Sequence, residues 1–300
     1  MQGLLLLDKP NGITSFSAVR MVKHAAGEKR VGHTGTLDPM ATGVLPVLVG
    51  RATALSSLML DKDKCYIATA RLGITTDTDD ITGEVLTKTD VNISNEDIEN
   101  VLNKFLGRQK QIPPMFSAIK QNGVRLYKLA REGKTADIPE RDIEIYSIEI
   151  LSALDGNNEF SFKAHVSKGT YIRSLVRDIG ECLGVGATLS SLKRTNASGF
   201  DIKECVNPEI LTESNISDYI LSEEKAVEYL PQIKVTEKQA IRFCNGGQLG
   251  YDRLNCSSFP DGQLLRVKFN GLFLGVGIAD NENKQINIKC VINYPKGEQR

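Results

Sequence analysis

The period of the apolar positions changes repeatedly along the chain, and each change marks an element. Residues 4–7 are an unbroken leucine run turned at Pro10-Asn11-Gly12, which reads as a strand. Ser15 stands where an N-cap belongs, before a helix with Phe16, Val19 and Val22 inward that stops at Gly27. Residues 44–49 read as a second strand, this one buried, and 52–60 as a short helix. The stretch from Lys64 to Leu72 is a strand apolar enough for burial on both faces. Ser94 and Asp97 have capping-box spacing, and their helix carries Ile98, Val101, Leu102 and Phe105 on one side before Gly107 ends it.

Further on, 112–120 reads as a break followed by a strand, Asn122-Gly123 as a turn, and 125–132 as a short basic helix ending at Gly133. Residues 143–151 and 160–166 alternate on either side of Asp155-Gly156-Asn157-Asn158, which predicts a hairpin. Thr170 is placed to cap a helix whose core face is Ile172, Leu175, Val176 and Ile179. Residues 188–194 return as a strand. The stretch 208–230 is acidic and helical in flavour, and Pro231 reads as a hinge. Short strands follow, closing with a hairpin about Asn270-Gly271. The fold class is α+β: a mixed, mostly antiparallel central sheet with flanking helices over 1–230, then a small β-rich module over 231–300.

Composition excludes more than it specifies. With 300 residues, 41% hydrophobic and 25% charged, the chain is an ordinary globular protein with length for a sizeable core. The leading apolar run is too short for a signal or membrane-spanning segment, so no membrane association is expected. Cysteines 65, 182, 205, 244, 256 and 290 are scattered, without a Cys-x-x-Cys pair. That reads as reduced thiols in the cytoplasm with no metal framework. Neither a phosphate loop nor a dinucleotide fingerprint appears, so no cofactor is expected.

Charge changes the picture. The net charge is zero, but residues 104–134 hold eight Lys/Arg against Glu132 alone, about +7. Residues 77–99 hold eight acids against Lys88 alone, about −7, and read as a solvated face. The basic block suits a polyanion, with Lys120, Arg125 and Lys128 as candidate contacts and Tyr127 as a stacking ring among them.

The candidate chemistry lies in Gly32-His33-Thr34-Gly35-Thr36-Leu37-Asp38-Pro39-Met40-Ala41-Thr42-Gly43-Val44-Leu45-Pro46. Three glycines and two prolines rule out a helix, and Pro39 drives Asp38 into an extended conformation. One carboxylate is thereby fixed on a stiff loop. Asp38 is either a turn residue accepting backbone hydrogen bonds or a presented reactive oxygen.

That fifteen-residue stretch resembles the catalytic segment of the bacterial tRNA pseudouridine synthase B family, in which the aspartate is the catalytic residue. Other stretches resemble the family's motifs in order: Leu6-Leu7-Asp8-Lys9-Pro10-Asn11-Gly12, Lys64-Cys65-Tyr66, Pro113-Pro114-Met115-Phe116-Ser117-Ala118, Ser167-Lys168-Gly169-Thr170-Tyr171-Ile172-Arg173 and Leu192-Lys193-Arg194. The resemblance spans residues 3–200. The tail resembles the family's PUA module by position, size and strand pattern.

The resemblance implies a pseudouridine synthase fold and isomerisation of uridine 55 in the tRNA T-arm, after the nucleotide is flipped from its stack. Asp38 would attack C1′, balance positive charge there, or deprotonate a sugar carbon, with Arg173 keeping it ionised. Tyr66 would stack on the base or move a proton. Tyr171 has the same readings as Tyr66, Leu192 would be an apolar wall of the pocket, and His33 would contact the RNA. No metal, cofactor or obligatory protein partner is implied, and a monomer is expected. The rivals are an RNA-guided synthase of a ribonucleoprotein, an RNA-binding protein without catalysis, and a nucleoside hydrolase that admits water.

Overall fold

The computed structural model describes residues 1–117, 119–121, 124–132, 137–254 and 259–295, and the side chains of Lys120, Gln121, Val124, Arg125, Tyr127, Lys128 and Arg131 are outside that description. The expected contacts of Lys120, Arg125 and Lys128, the turn at Asn122-Gly123 and the helix end at Gly133 therefore lie outside the described residues.

The leucine run forms β1 (Gly3–Lys9). It is followed by α1 (Ser15–Ala26), β2 (Val31–His33) and β3 (Thr42–Val49). β1 pairs antiparallel with β3, Leu5 opposite Val47 and Leu7 opposite Leu45. The cap of α1 differs from expectation by one residue. Thr14 accepts from the Ser17 N–H, and Ser15 turns inward to bond the loop beyond β2. The buried face is accordingly Ser15, Ala18, Val19, Val22 and Ala25, and Phe16 is left 65% exposed.

The helix expected over 52–60 begins as a 3-10 turn (Gly50–Leu55), tightened by the Thr53 hydroxyl on the Gly50 carbonyl at 2.8 Å. It ends as α2 (Ser56–Leu60). β4 (Lys64–Leu72) buries Lys64, Tyr66, Ala68, Ala70 and Leu72 and leaves the alternate positions half-buried. One face meets the core, not two.

A small hairpin of β5 (Ile74–Thr76) and β6 (Val85–Lys88) precedes α3 (Asn95–Lys104), whose Ser94/Asp97 capping box forms as the spacing predicts. Then come β7 (Gly107–Gln111), the short pair β8 (Lys120–Gln121) and β9 (Val124–Arg125), and α4 (Leu126–Arg131). β10 (Arg141–Ser152) and β11 (Glu159–Val166) make the expected hairpin. α5 (Ile172–Cys182), β12 (Ala187–Ala197) and β13 (Phe200–Asp201) follow.

The central sheet runs β1-β3-β12-β4-β11-β10-β7, with β2 beside β3 and β13 beside β12. β12 pairs parallel with β3, and its neighbours along the sheet pair antiparallel. On one face α1, α3 and α5 bring Val19, Val22, Ile98, Val101, Leu175 and Ile179 onto Leu5, Leu7, Phe160 and Phe162. These helices and β12 set the site at the β3–β12 crossing.

The stretch 208–230 is mostly turns, with two 3-10 segments and the single-turn α6 (Ile216–Tyr219). A second, curled sheet then runs β14-β16-β17-β18-β15. Its strands are β14 (Gln232–Lys234), β15 (Leu249–Gly250), β16 (Leu264–Phe269), β17 (Leu272–Asp280) and β18 (Gln285–Val291), with α7 (Glu237–Cys244) across them. Asn270 and Gly271 both take positive φ, 47° and 83°, the turn that two-residue hairpins favour.

Pro231 is not a hinge. Its carbonyl accepts the Arg266 N–H at 2.8 Å, and Glu224 pairs with Arg266 at 2.7 Å and Lys268 at 2.9 Å. Leu4, Leu6 and Leu48, on the back of β1 and β3, and Met59 of α2 share one apolar cluster with Val227, Leu230, Phe273, Val276 and Ile292. Among the described residues no helix is long and apolar enough to cross a membrane.

Candidate active site

The loop between β2 and β3 is braced from three sides. Ser15, turned inward by the shifted cap, accepts from the Leu37 N–H at 2.8 Å and donates to the Leu37 carbonyl at 3.0 Å. The Pro39 carbonyl accepts the Gly12 N–H at 2.9 Å and the Lys9 ammonium at 3.2 Å. Arg194, on β12, spans the loop's base, with Nε on the Val44 carbonyl at 2.8 Å and Nη2 on the Gly35 carbonyl at 3.0 Å. Gly43 has φ +102°, and a Cβ there would overlap the Arg194 main-chain carbonyl, so the parallel contact of β3 with β12 requires glycine.

Asp38 is thereby held between Leu37 and Pro39. Its side chain is 35% exposed, open to solvent at one edge. Arg173, in the first turn of α5 and 5% exposed, engages both carboxylate oxygens: Nε forms an ion pair with Oδ2 at 3.0 Å, and Nη2 donates to Oδ1 at 3.3 Å. The fork is itself fixed. Nη1 donates to the Thr78 carbonyl at 3.0 Å and lies 3.7 Å from Asp80, and Nη2 donates to the Phe116 carbonyl at 2.8 Å. Burial pushes the Asp38 carboxyl above the ordinary carboxylate range, Arg173 pulls it back, and the Asp80 charge adds to the rise. The result is an oriented carboxylate facing an opening, suited to nucleophilic attack or to balancing positive charge on a carbon.

The other expected residues fall into two groups. Tyr66 on β4 and Leu192 on β12 are 7% and 8% exposed and belong to the same apolar cluster as Leu37. Leu192 lies opposite Ala68, and Arg194 opposite Tyr66, so the two side chains are diagonal neighbours across one strand pair. Tyr171 is half-buried at the head of α5. The Thr170 cap is not used. Instead the Tyr171 N–H donates to Gln111 Oε1 at 2.8 Å, and Gln111 Nε2 donates back to the Tyr171 carbonyl at 3.1 Å. Burial raises the Tyr171 phenol, the nearby Arg141 opposes this, and the Asp38 charge adds to the rise. His33, half-buried on β2, is not brought into hydrogen-bond contact with Asp38 among the described residues. Burial and the Arg194 charge hold its imidazole pKa down, favouring the neutral ring.

Several residues that shape the site escaped the sequence reading. The acidic stretch is not simply a solvated face. Asp80 is 5% exposed, and Asp79 pairs with Arg177 at 3.1 Å, so the 77–83 loop docks on the arginines of α5. Arg177 Nη2 and the Ser174 hydroxyl both bond the Ile112 carbonyl, at 3.1 and 2.8 Å, which fixes the entry to the Pro113 segment. Lys9 is fully buried, and burial lowers its pKa to about 8, with Asp38 opposing and Arg194 reinforcing. The arginine pair at i and i+4 was a visible signal for Arg177. The carbonyl-bonded Lys9 and Arg194 leave none beyond their place in motifs.

Two solved structures share this architecture over almost the whole chain. The crystal structure of a Cbf5–Nop10–Gar1 complex matches 97% of this chain and 85% of its own, with TM-score 0.75 and 26% identity. That of the archaeal box H/ACA sRNP Nop10–Cbf5 complex matches 98% and 87%, with TM-score 0.72 and 26% identity. The arrangement of sheet and helices is that of the pseudouridine synthase fold.

Family models and curated relatives narrow this further. The N-terminal domain of the TruB family pseudouridylate synthases matches residues 23–172, and the tRNA pseudouridylate synthase B C-terminal domain matches 173–233. tRNA pseudouridine synthase B of Clostridium perfringens (strain 13 / Type A) is 44% identical, covering 94% of this chain and 96% of its own. The enzyme of that name from Clostridium kluyveri is 42% identical, covering 97% and 99%, and that from Thermosipho melanesiensis 39%, covering 99% and 96%. The chain belongs to the TruB family of pseudouridylate synthases.

Proposed function

We propose that this chain isomerises uridine 55 in the T-arm of tRNA to pseudouridine, acting alone on a flipped nucleotide. It is an isomerase of its family, and tRNA is the substrate its relatives' names carry. The observation that supports the reading most is the hold of Arg173 on both oxygens of Asp38, one ion pair and one hydrogen bond, on a loop braced at Leu37 and Pro39.

In the isomerisation the N1–C1′ bond breaks, a C5–C1′ bond forms, and the proton lost from C5 is matched by one gained at N1. No electrons enter or leave. Asp38 attacks C1′ or balances its positive charge while Arg173 keeps the carboxylate aimed. Tyr66 offers its ring to the displaced base, Leu192 an apolar wall and Tyr171 the edge of the recess. His33 meets the RNA as a neutral ring.

Lys120, Arg125 and Lys128 grip phosphates within the basic stretch 104–134. We read 1–230 as the catalytic domain and 231–300 as a PUA-like RNA-binding accessory. We read the protein as a cytoplasmic monomer that needs no obligatory protein partner, since its curated relatives are named as tRNA pseudouridine synthase B without reference to a complex.

The test is incubation with an unmodified tRNA transcript, mapping pseudouridine by chemical probing, beside a transcript with cytidine at position 55. One modified site, lost in the cytidine transcript, is expected. Free uracil in solution would mark a hydrolase, and modification elsewhere would overturn the assigned position.

A further inference from the structure

We propose that the solvent face of α1 is a docking strip for the RNA strand flanking the flipped nucleotide, with Phe16 stacking on a base and Arg20 and Lys23 on phosphates. The proposal rests on the RNA-modifying activity argued above and adds a surface outside its catalytic motifs. Phe16, at 65%, is the most exposed large hydrophobic side chain among the described residues. Alone it would be unremarkable, since single exposed apolar residues are common.

Its neighbours give it meaning. Phe16, Arg20 and Lys23 are spaced i, i+4 and i+7, one stripe along a helix whose opposite side is buried. Residues 15–30 carry Arg20, Lys23, Lys29 and Arg30 against Glu28 alone. Glu28 is engaged by the Arg30 N–H at 3.0 Å, and no ion pair among the described residues joins any of the four cations to an acid. A ring on a purely cationic stripe fits single-stranded nucleic acid, in which every base has a stacking face and every linkage a charge.

Position supplies the second argument. Ser15, one residue before Phe16, holds both the N–H and the carbonyl of Leu37, and Gly12 holds the Pro39 carbonyl. The first turn of α1 is thus tied to Leu37 and the turn leading into it to Pro39, the two residues that flank Asp38. A nucleotide whose sugar reaches Asp38 leaves its neighbours along the strand within reach of that turn. Ser15 buries the packing side, so the exposed ring of Phe16 carries no core burden.

The test uses the full chain with unmodified tRNA transcript, measuring binding across a salt series and single-turnover conversion at saturating RNA. Phe16→Ala is expected to weaken binding about tenfold with an unchanged salt slope, because stacking is not ionic. The double variant Arg20→Glu/Lys23→Glu is expected to weaken it at least tenfold and to flatten the log–log slope by about 1.5. Conversion at saturation should stay within twofold of wild type in both. Lys88→Glu/Lys203→Glu changes charge equally on exposed positions elsewhere and should leave binding within twofold.

Unchanged affinity and slope in the α1 variants overturns the strip. Equal losses in the Lys88/Lys203 control overturn it too, because net charge would then explain the effect. A wild-type chain that binds tRNA without converting it overturns the activity reading instead, while the binding series still decides the strip.

Discussion

Asp38 is under opposing demands, since burial pushes it towards the protonated acid while its chemistry needs the carboxylate. Burial raises its pKa and Arg173 lowers it, with Asp80 on the side of burial. Activity should therefore be lost on acidification at a pH above the ordinary carboxylate range, as Asp38 takes up its proton. Asp80→Asn removes one raising charge and keeps an oxygen for Thr78 and Thr82, which bond it at 2.9 and 3.0 Å. The acid limb of the single-turnover rate should move to lower pH in that variant and to higher pH in Arg173→Gln. An acid limb that stays put in both would contradict the assignment. Asp38 and Arg173 were legible because both stand in motif stretches. Asp80 was not, because its burial comes from a contact with α5 about a hundred residues away, and composition marked it only as one acid among eight.

At the scale of elements, the loop between β2 and β3 is rigid because its carbonyls are held by side chains far along the chain. Arg194→Lys keeps the charge but cannot span two carbonyls, so one of Gly35 and Val44 loses its partner. A loss of about 1–3 kcal/mol in denaturant unfolding is expected, with turnover reduced more than RNA affinity. Gly43→Ala should cost more, because a left-handed φ is strained for alanine and the added carbon meets the Arg194 carbonyl. Wild-type stability in either variant would show that the loop is not braced from β12. The periodic elements were read well, including the faces of α3 and α5 and the 143–166 hairpin. Local polar competition defeated the rest. Thr14 out-competed Ser15 as a cap once Ser15 found Leu37, and Gln111 replaced Thr170 at the head of α5.

For the whole molecule, the tail sheet covers the back of β1 and β3 and is not a pendant module. Ending the chain near residue 230 would uncover Leu4, Leu6, Leu48 and Met59, now covered in part by Phe273, Val276 and Ile292. Each leucine fully exposed costs about 1.5–3 kcal/mol, against a typical stability of about 5–15 kcal/mol. The truncated chain should melt far below the full chain or aggregate. A melting temperature within a few degrees of the full chain would mean that the shared cluster contributes little. The composition break at Pro231 was visible in the sequence. The packing across it was not, because the leucine run of β1 reads as a strand without saying what covers its second face.

The central claim is that Asp38 acts on the sugar of a bound, flipped uridine, and one variant tests it most directly. Asparagine keeps the shape of aspartate and can still accept from Arg173, so the loop and the RNA site should persist, which a melting curve checks. Single-turnover conversion of tRNA by Asp38→Asn should fall on the order of a thousandfold or more, while tRNA affinity stays within a few-fold of wild type. Conversion near the wild-type rate in the folded variant would remove Asp38 from the chemistry and contradict the account.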